Sequence, residues 1–216
     1  MGPLKGRIHP EGWPFIIFLA IVGALFFLFS AFWGLFFIVL TLCCAAFFRE
    51  PLRVAPDDPS FILSPADGLL LEIKSAKPPA ELMAYQEESW VRLSIFLSIF
   101  DVHVTRMPQK GRVLMTVYHK GKFLNASFDK ASNLNERNSV VLETEDGTVI
   151  VTQIAGLIAR RIVCYASIGD EVERGETFGV IRFGSRVDMY LPNGVSILVK
   201  KGQKIVGGET VIAKFA

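Results

Sequence analysis

The sequence predicts an α+β protein that is mostly β, in which an N-terminal helical hairpin precedes a larger β-rich domain. Three observations support this class. The 34 residues from Phe15 to Phe48 include no charged side chain. From Phe61 onward, short segments of alternating apolar and polar residues are separated by turns, which is typical of β-strands. A ten-residue glycine motif that begins at Gly169 recurs at Gly202.

The uncharged run is long enough to form a membrane hairpin. As one helix it would measure about 51 Å at a rise of about 1.5 Å per residue, which exceeds the ~30 Å hydrocarbon core of a bilayer. A break near residues 30–34, where small side chains interrupt the bulky ones, would give two helices of about 17 residues, the short end of the spanning range. We therefore expect residues 1–52 to anchor the chain in a membrane, either by crossing it or by dipping into it.

The charges that flank this run favour a cytoplasmic location for both of its ends. Lys5 and Arg7 precede the run, and Arg49 and Arg53 follow it, so the positive-inside rule holds both ends in the cytoplasm. Trp13 at the entry suits an interfacial anchor. The rival interpretations are a buried hairpin of a soluble core and a cleaved signal peptide, whose apolar part normally has only about 7–15 residues. We expect the protein in the inner cell membrane, with its β-rich domain facing the cytoplasm.

The composition argues against several other kinds of protein. A net charge of +2 gives no support for a nucleic-acid partner. Cys43, Cys44 and Cys164 form no disulfide framework, which suits a reducing compartment. No cluster of histidines and cysteines has the spacing of metal ligands, so no metal site is expected.

A proline-rich segment at residues 53–60 is predicted to link the hairpin to a domain that covers residues 61–216. Alternation predicts strands at residues 69–73, 92–100, 140–145 and 148–154. The Asp146-Gly147 pair predicts a hairpin turn between the last two strands.

The glycine repeat closes the chain and extends the fold prediction. Its two copies, each with a Gly-x-x-Val/Ile-x-x-Gly core, are offset by 33 residues. They resemble the paired hairpins of the barrel-sandwich folds that carry biotin or lipoate. Those carriers present a lysine between the repeats, whereas this chain has Gly184-Ser185 there. The repeat therefore supports a barrel-sandwich-like domain and argues against carrier function.

Four blocks of polar and glycine residues occur in a fixed order along the β-rich part. They are Ser64-Pro65-Ala66-Asp67-Gly68, Phe100-Asp101-Val102-His103-Val104-Thr105-Arg106-Met107-Pro108, Gly121-Lys122-Phe123-Leu124-Asn125-Ala126 running on to Asp129-Lys130-Ala131 and Asn135-Glu136-Arg137-Asn138, and Arg182-Phe183-Gly184-Ser185-Arg186-Val187-Asp188-Met189-Tyr190-Leu191-Pro192. In order and spacing they resemble the phosphatidylserine decarboxylases, in their short proenzyme form. The resemblance covers the chain from about Phe61 to its end, together with an apolar N-terminal region of the expected kind.

The resemblance implies self-cleavage between Gly184 and Ser185, which gives a large chain (1–184) and a small chain (185–216) that stay together as a heterodimer. Ser185 attacks the uncrowded Gly184 carbonyl to form an ester. Elimination then releases the Gly184 carboxylate and leaves a dehydroalanine, which hydrolyses to a pyruvoyl group and ammonia. This cofactor is the electron sink that decarboxylation of an α-amino acid requires and no standard side chain provides. Phosphatidylserine would join it as a Schiff base, lose carbon dioxide and leave as phosphatidylethanolamine, so the implied enzyme is a carboxy-lyase.

A serine nucleophile needs a base, and the resemblance points to His103, with Asp67 as the residue that orients it. Longer relatives carry a second histidine at the position of Arg106. His103 therefore serves both self-cleavage and decarboxylation, or one of the two roles has moved. For Asp67 the simpler interpretation is a residue of a Pro-Ala-Asp-Gly β-turn. His119 lies outside the assigned roles.

For the anionic head group, the nearby cations are Lys122, Lys130, Arg137 and Arg186. Arginine suits forked contacts with carboxylate or phosphate, although solvated surface charge is the plainer interpretation of the set. Two other functions stay open. One is pyruvoyl-dependent decarboxylation of a different serine-headed lipid, and the other is a non-catalytic, membrane-tethered barrel-sandwich adaptor.

Overall fold

The computed structural model describes residues 6–87, 89–122, 134–156, 161–182 and 185–215. It consists of two compact units, Met1–Leu52 and Arg53–Ala216. Residues 53–60, which the sequence predicts to be a linker, belong to the second unit. The Arg174 guanidinium donates hydrogen bonds to the backbone carbonyls of Pro56 and Asp58, and this ties the segment to the β-rich unit.

Two helices form most of the first unit. Its elements are β1 (Gly6–Ile8), a 3-10 turn (Pro10–Gly12), α1 (Trp13–Phe27), α2 (Ala31–Phe47) and β2 (Arg49–Pro51). The helices are joined by residues 28–30, so the break lies slightly before the predicted residues 30–34. Gly34 is helical and does not break the chain. A Cβ there would lie 2.0 Å from Cδ2 of Phe27, so glycine permits the close approach of the two helices.

Aromatic stacking runs along the length of this helix pair. The Phe15 and Phe48 rings are stacked with centroids 5.7 Å apart, and the Phe26 and Phe37 rings are stacked at 5.1 Å. Most of the other large apolar side chains of the pair are exposed. The segment Pro10–Phe27 is long and apolar enough to cross a membrane, and Ala31–Phe47 is a shorter apolar helix.

The second unit is built from antiparallel strands. They are β3 (Phe61–Leu63), β4 (Gly68–Ser75), β5 (Trp90–Leu97), β6 (Val104–Arg106), β7 (Gly111–His119), β8 (Arg137–Thr144), β9 (Gly147–Ala155), β10 (Arg161–Cys164), β11 (Glu171–Val172), β12 (Thr177–Arg182), β13 (Ser185–Pro192), β14 (Ser196–Ile197), β15 (Lys204–Ile205) and β16 (Val211–Lys214). The four strands that alternation predicted are present as β4, β5, β8 and β9. The predicted hairpin turn is confirmed, because Thr144 pairs with Gly147 across it.

The strands form one large and two small sheets. The eight-stranded sheet has the order β11-β7-β8-β9-β13-β5-β4-β15. The small sheets have the orders β10-β12-β6 and β14-β16-β3. The fold is therefore mostly β with two N-terminal helices, as the sequence predicts at this level.

The two copies of the glycine repeat have the same local structure. Gly169 and Gly175 have φ values of +92° and +80°, and their counterparts Gly202 and Gly208 have +86° and +77°. A side chain is strained at such φ values, which explains why glycine occupies all four positions. The two copies place β11 and β15 at the opposite edges of the large sheet.

Strand β13 lies in the centre of the large sheet and separates two kinds of interior. Val187, Met189 and Leu191 belong to the main apolar core. The alternate residues face the other side of the sheet, where Arg186 Nε donates to Asp188 Oδ1 at 2.6 Å and both side chains are almost fully buried. Breaking such a pair leaves an uncompensated charge in the interior.

We expect Arg186→Met to lower the free energy of unfolding by about 3–5 kcal/mol, because the buried Asp188 carboxylate loses its partner at 2.6 Å and keeps the more distant Arg92, whose Nη1 lies 3.9 Å away. Adding Asp188→Leu should recover a large part of that loss, since it removes the buried carboxylate and leaves Arg92 paired with Glu72. Denaturant unfolding of the detergent-solubilised protein measures both effects. A double variant as unstable as the sum of the two single variants would contradict this role for the pair.

Candidate active site

Ser185 is the first residue of β13 and is fully buried. It lies opposite Leu97 of β5 on one side and opposite Ala155 of β9 on the other. Its Oγ has no hydrogen-bond partner within the part of the chain that the structure describes. A buried hydroxyl without a partner is costly, at about 1–3 kcal/mol, and such groups are uncommon outside functional sites.

The chain enters Ser185 from a different sheet. Strand β12 ends at Arg182 and belongs to the small sheet β10-β12-β6, whereas β13 lies in the large sheet. Only Phe183 and Gly184 separate the two strands, and both lie outside the described residues. The predicted cleavage bond is therefore part of a two-residue crossing between two sheets.

His103 directly precedes β6, the neighbour of β12, and its side chain is fully buried. The backbone of the two strands is connected here, because Ile181 N–H donates to His103 C=O at 3.1 Å. His103 Nδ1 donates to the Asp101 carbonyl oxygen at 3.0 Å. A carbonyl only accepts, so Nδ1 carries the proton and Nε2 is the basic nitrogen of the neutral ring. In this tautomer, Nε2 is the ring nitrogen that can accept a proton.

Asp67 has different partners from those expected. Its Oδ2 accepts from Arg53 Nη2 at 2.7 Å, and its Oδ1 accepts from the Gly207 backbone N–H at 2.7 Å. The expected direct contact with His103 is absent, and the group on Nδ1 is the Asp101 carbonyl instead. Burial raises the pKa of the Asp67 carboxyl, and the charge of Arg53 opposes this shift without cancelling it.

A buried polar connection joins the sheet of His103 to the sheet of Ser185. Gln153 of β9 donates from Nε2 to Oγ1 of Thr105 in β6, at 2.8 Å. Asn138 of β8 donates from Nδ2 to Oε1 of the same glutamine at 3.5 Å. Gln153 and Thr105 are both fully buried. This contact sets the spacing between the two sheets on the side of β13 that Ser185 faces.

The structure places the predicted head-group cations in different environments. Arg137 makes a two-pronged contact with Glu81, with N–O distances of 2.6 and 2.7 Å. Arg186 is paired with Asp188, as described above. Lys122 is exposed, and Lys130 lies outside the described residues.

The structure also places His119 and Arg106, the two other positions that the sequence brings into question. His119 pairs with Arg137, and the alternation along β8 and β9 puts it on the opposite face of the large sheet from Ser185. Arg106, at the position of the second histidine of longer relatives, donates from Nη1 to the Gly175 carbonyl at 2.9 Å. It thereby contacts the first glycine-repeat turn.

Sequence reasoning missed the contributions of Asp101, Arg53 and Gln153. Asp101 lies inside a matched block, but a backbone carbonyl contact leaves no trace in residue type. In the sequence, Arg53 is one of the charges that follow the apolar run, and no motif near it indicates a contact with Asp67. For Gln153 the sequence does offer a signal, because a glutamine within an otherwise apolar strand indicates a buried polar contact.

Comparisons with known proteins identify the family of this chain. The family model described as Phosphatidylserine decarboxylase matches residues 40–213. The chain is 52% identical over 209 residues to a Rickettsia felis protein named "Phosphatidylserine decarboxylase proenzyme", a match that covers 96% of this chain and 90% of the relative. Proteins of the same name from Rickettsia akari and Rickettsia typhi are 52% and 51% identical over the same length and shares. These matches define the class of protein, which is a carboxy-lyase. The chain is a member of the phosphatidylserine decarboxylase family.

The Gln153–Thr105 contact predicts a specific pattern of variants. Gln153→Leu leaves the Thr105 hydroxyl buried without its partner, so we expect a loss of about 1–3 kcal/mol in stability and slower self-cleavage. Thr105→Val combined with Gln153→Leu removes both partners, so the double variant should lose less stability than the sum of the losses of the two single variants. Unfolding curves and the time course of cleavage test this, and strictly additive effects would show that the two side chains act independently.

Proposed function

We propose that this chain is a proenzyme that cleaves itself between Gly184 and Ser185 and then converts phosphatidylserine into phosphatidylethanolamine and carbon dioxide. The observation that carries the proposal is the fully buried Ser185 at the crossing between two sheets, whose Oγ has no hydrogen-bond partner among the described residues. Family membership supports the same reaction. The names of the relatives support both the substrate and the proenzyme state.

In the self-cleavage step, the role of Ser185 is to attack and that of His103 is to accept the Oγ proton at Nε2. Two contacts support this assignment. The Asp101 carbonyl holds the required tautomer, and the Ile181 contact fixes His103 beside the strand that leads to the cleavage bond. Serine at its ordinary pKa is a weak nucleophile, so a positioned base is needed. We propose for Asp67 an indirect role, in which its contacts with Arg53 and Gly207 hold the 64–68 block in place.

The orphaned Ser185 Oγ fits a residue that is converted after folding. When formed, the pyruvoyl group at position 185 supplies the carbonyl that accepts the electron pair released with carbon dioxide. Leu97 and Ala155, on the flanking strands, hold this position from both sides. A group at the start of a central strand is rigidly oriented, which favours catalysis by positioning.

The two products of cleavage are expected to stay together without a covalent link. All eight residues of β13 pair with β5, and six of them also pair with β9. Strands β15 and β16, which also lie in the small chain, pair with β4 and β3 of the large chain. The small chain is therefore held by four separate ladders, two formed by β13 and one each by β15 and β16.

We further propose that the helices of the first unit form a membrane-anchoring hairpin, with the β domain in the cytoplasm as a barrel-sandwich-like fold. The long apolar segment Pro10–Phe27 and the two matching glycine-repeat turns support these two points. Among the four head-group cations, Lys122 is the best candidate for substrate contact because it is exposed. Arg137 and Arg186 have carboxylate partners, which would compete with the head group.

Intact mass measurement tests the central proposal. The purified protein should contain a chain from Met1 to Gly184 and a 32-residue chain from a pyruvoyl group at 185 to Ala216. Ser185→Ala should give one uncut, inactive chain, because alanine has no hydroxyl for the attack. An active preparation with only the full-length, unmodified mass would refute the proposal, and an uncut, inactive wild type would favour the adaptor alternative.

The role of His103 is tested by comparing histidine variants. A positioned general base typically contributes about 10²–10⁴-fold, so His103→Ala should leave mostly uncut chain. His119→Ala is the matched control and should cleave nearly normally, since His119 lies on the opposite face of the large sheet. Asp67→Asn should slow cleavage less than His103→Ala does.

The uncut fraction on a denaturing gel, followed over time, ranks the three variants. Normal maturation of His103→Ala together with failure of His119→Ala would reverse the assignment of the base.

A further inference from the structure

Two large apolar side chains project into solvent from the turn that precedes His103. This turn, residues 98–101, follows β5, and at its tip Ile99 is 52% exposed and Phe100 is 79% exposed. Single exposed hydrophobic residues are common on protein surfaces. Two adjacent ones at the tip of a tight turn form a small apolar knob, which we call the apolar tip.

The turn is rigid, so the apolar tip keeps its position. Asp101 N–H donates to Ser98 C=O at 2.9 Å. Asp101 Oδ2 accepts from both the N–H and the Oγ of Ser98, at 2.8 and 2.7 Å. The carbonyl of the same Asp101 accepts from His103 Nδ1. The contacts that fix the apolar tip therefore also fix the candidate base.

The apolar tip lies at the reacting end of the large sheet. Leu97, the residue before the turn, is the direct cross-strand partner of Ser185. The tip therefore begins only two residues from the position opposite the candidate nucleophile.

Two arginines lie at the corresponding end of the small sheet. Arg161 begins β10, Arg182 ends β12, and the two are cross-strand partners. Arg182 directly follows Ile181, the residue that donates to the His103 carbonyl. Arg161 is exposed and Arg182 is half-buried. The His103 end of the domain thus combines an apolar tip with two cations.

This combination fits one partner, the surface of an anionic bilayer. A phospholipid with two acyl chains leaves its bilayer only at a large cost, so its head group must be reached at the membrane surface. Protein segments that lie in that interface combine apolar side chains, which enter the acyl boundary, with Lys or Arg, which contact anionic head groups. A protein partner would require no such arrangement around the reacting end.

We propose that the apolar tip, with Arg161 and Arg182, is a membrane-contact surface of the β domain itself, in which Ile99 and Phe100 insert among the lipid head groups. It is additional to the N-terminal anchor. The inference rests on the proposed roles of Ser185 and His103, since these define the reacting end. Its function is to bring the head group of a lipid to His103 without extracting the lipid.

Fluorescence quenching tests the insertion directly. Phe100→Trp, in the full-length protein reconstituted into vesicles of phosphatidylcholine and phosphatidylserine, should show quenching by brominated acyl chains beyond that of the native tryptophans. The matched control is Ile168→Trp, because Ile168 is 69% exposed but follows the far end of β10. If Phe100→Trp does not fold, Ile99→Trp replaces it.

Each outcome of this measurement either supports or contradicts the proposal. Extra quenching at position 100 but not at 168 supports the proposal, and weaker quenching in vesicles that lack phosphatidylserine supports the role of the arginines. Equal quenching at both positions, or none at position 100, overturns it. The measurement needs no catalysis and works equally in a Ser185→Ala background, so it remains interpretable if the proposed reaction is wrong.

A kinetic measurement separates membrane contact from a structural role of the turn. Ile99→Ser combined with Phe100→Ser should lower the ratio of activity on vesicles to activity on dispersed short-chain phosphatidylserine by about tenfold or more, as expected for loss of large apolar groups from a buried contact. The extent of self-cleavage provides the control for folding. An equal loss on both substrates would show that the side chains only support the turn, and the proposal would fail.

Discussion

The two ladders that β13 forms with β5 and β9 hold Ser185 in place, and much of the β domain depends on them. Side chains alternate between the two faces of a strand, so the register of β13 sends Val187, Met189 and Leu191 to the main core and the charged Arg186 and Asp188 to the other face. A slip of β13 by one residue would place the charged side chains in the main core and the apolar ones on the other face. The cost of that exchange fixes the register, and the register fixes the direction of the Ser185 hydroxyl.

The position of His103 depends on a different contact, the packing of the small sheet on the large one. The chain itself links the sheets through the two residues between β12 and β13, and the Gln153–Thr105 hydrogen bond links them through side chains. The proposed nucleophile, Ser185, and the proposed base, His103, thus come from separate sheets. The proposed cleavage between the sheets would leave each strand in its own ladder, so a cut chain would keep the same pairing.

Several polar groups in this interior are held in unfavourable states. The Ser185 hydroxyl lacks a partner among the described residues, and burial raises the pKa of Asp67 even beside Arg53. Such local conflicts are costly, and they persist where the surrounding fold over-determines the geometry. In this protein the surrounding ladders supply that constraint, since Leu97 and Ala155, the cross-strand partners of Ser185, are both fully buried.

The sequence by itself determined the fold class, the four strands with clear alternation, the glycine repeat and the family. These depend on local periodicity, on glycines at positive φ and on blocks of residues in order, all of which can be read along the chain. The tertiary structure alone decided which groups meet. Arg53 and Gly207 bind Asp67 across long stretches of sequence, and a backbone carbonyl, which every residue has, orients His103. Contacts of this kind arise from the packing of distant strands, and residue type at one position does not encode them.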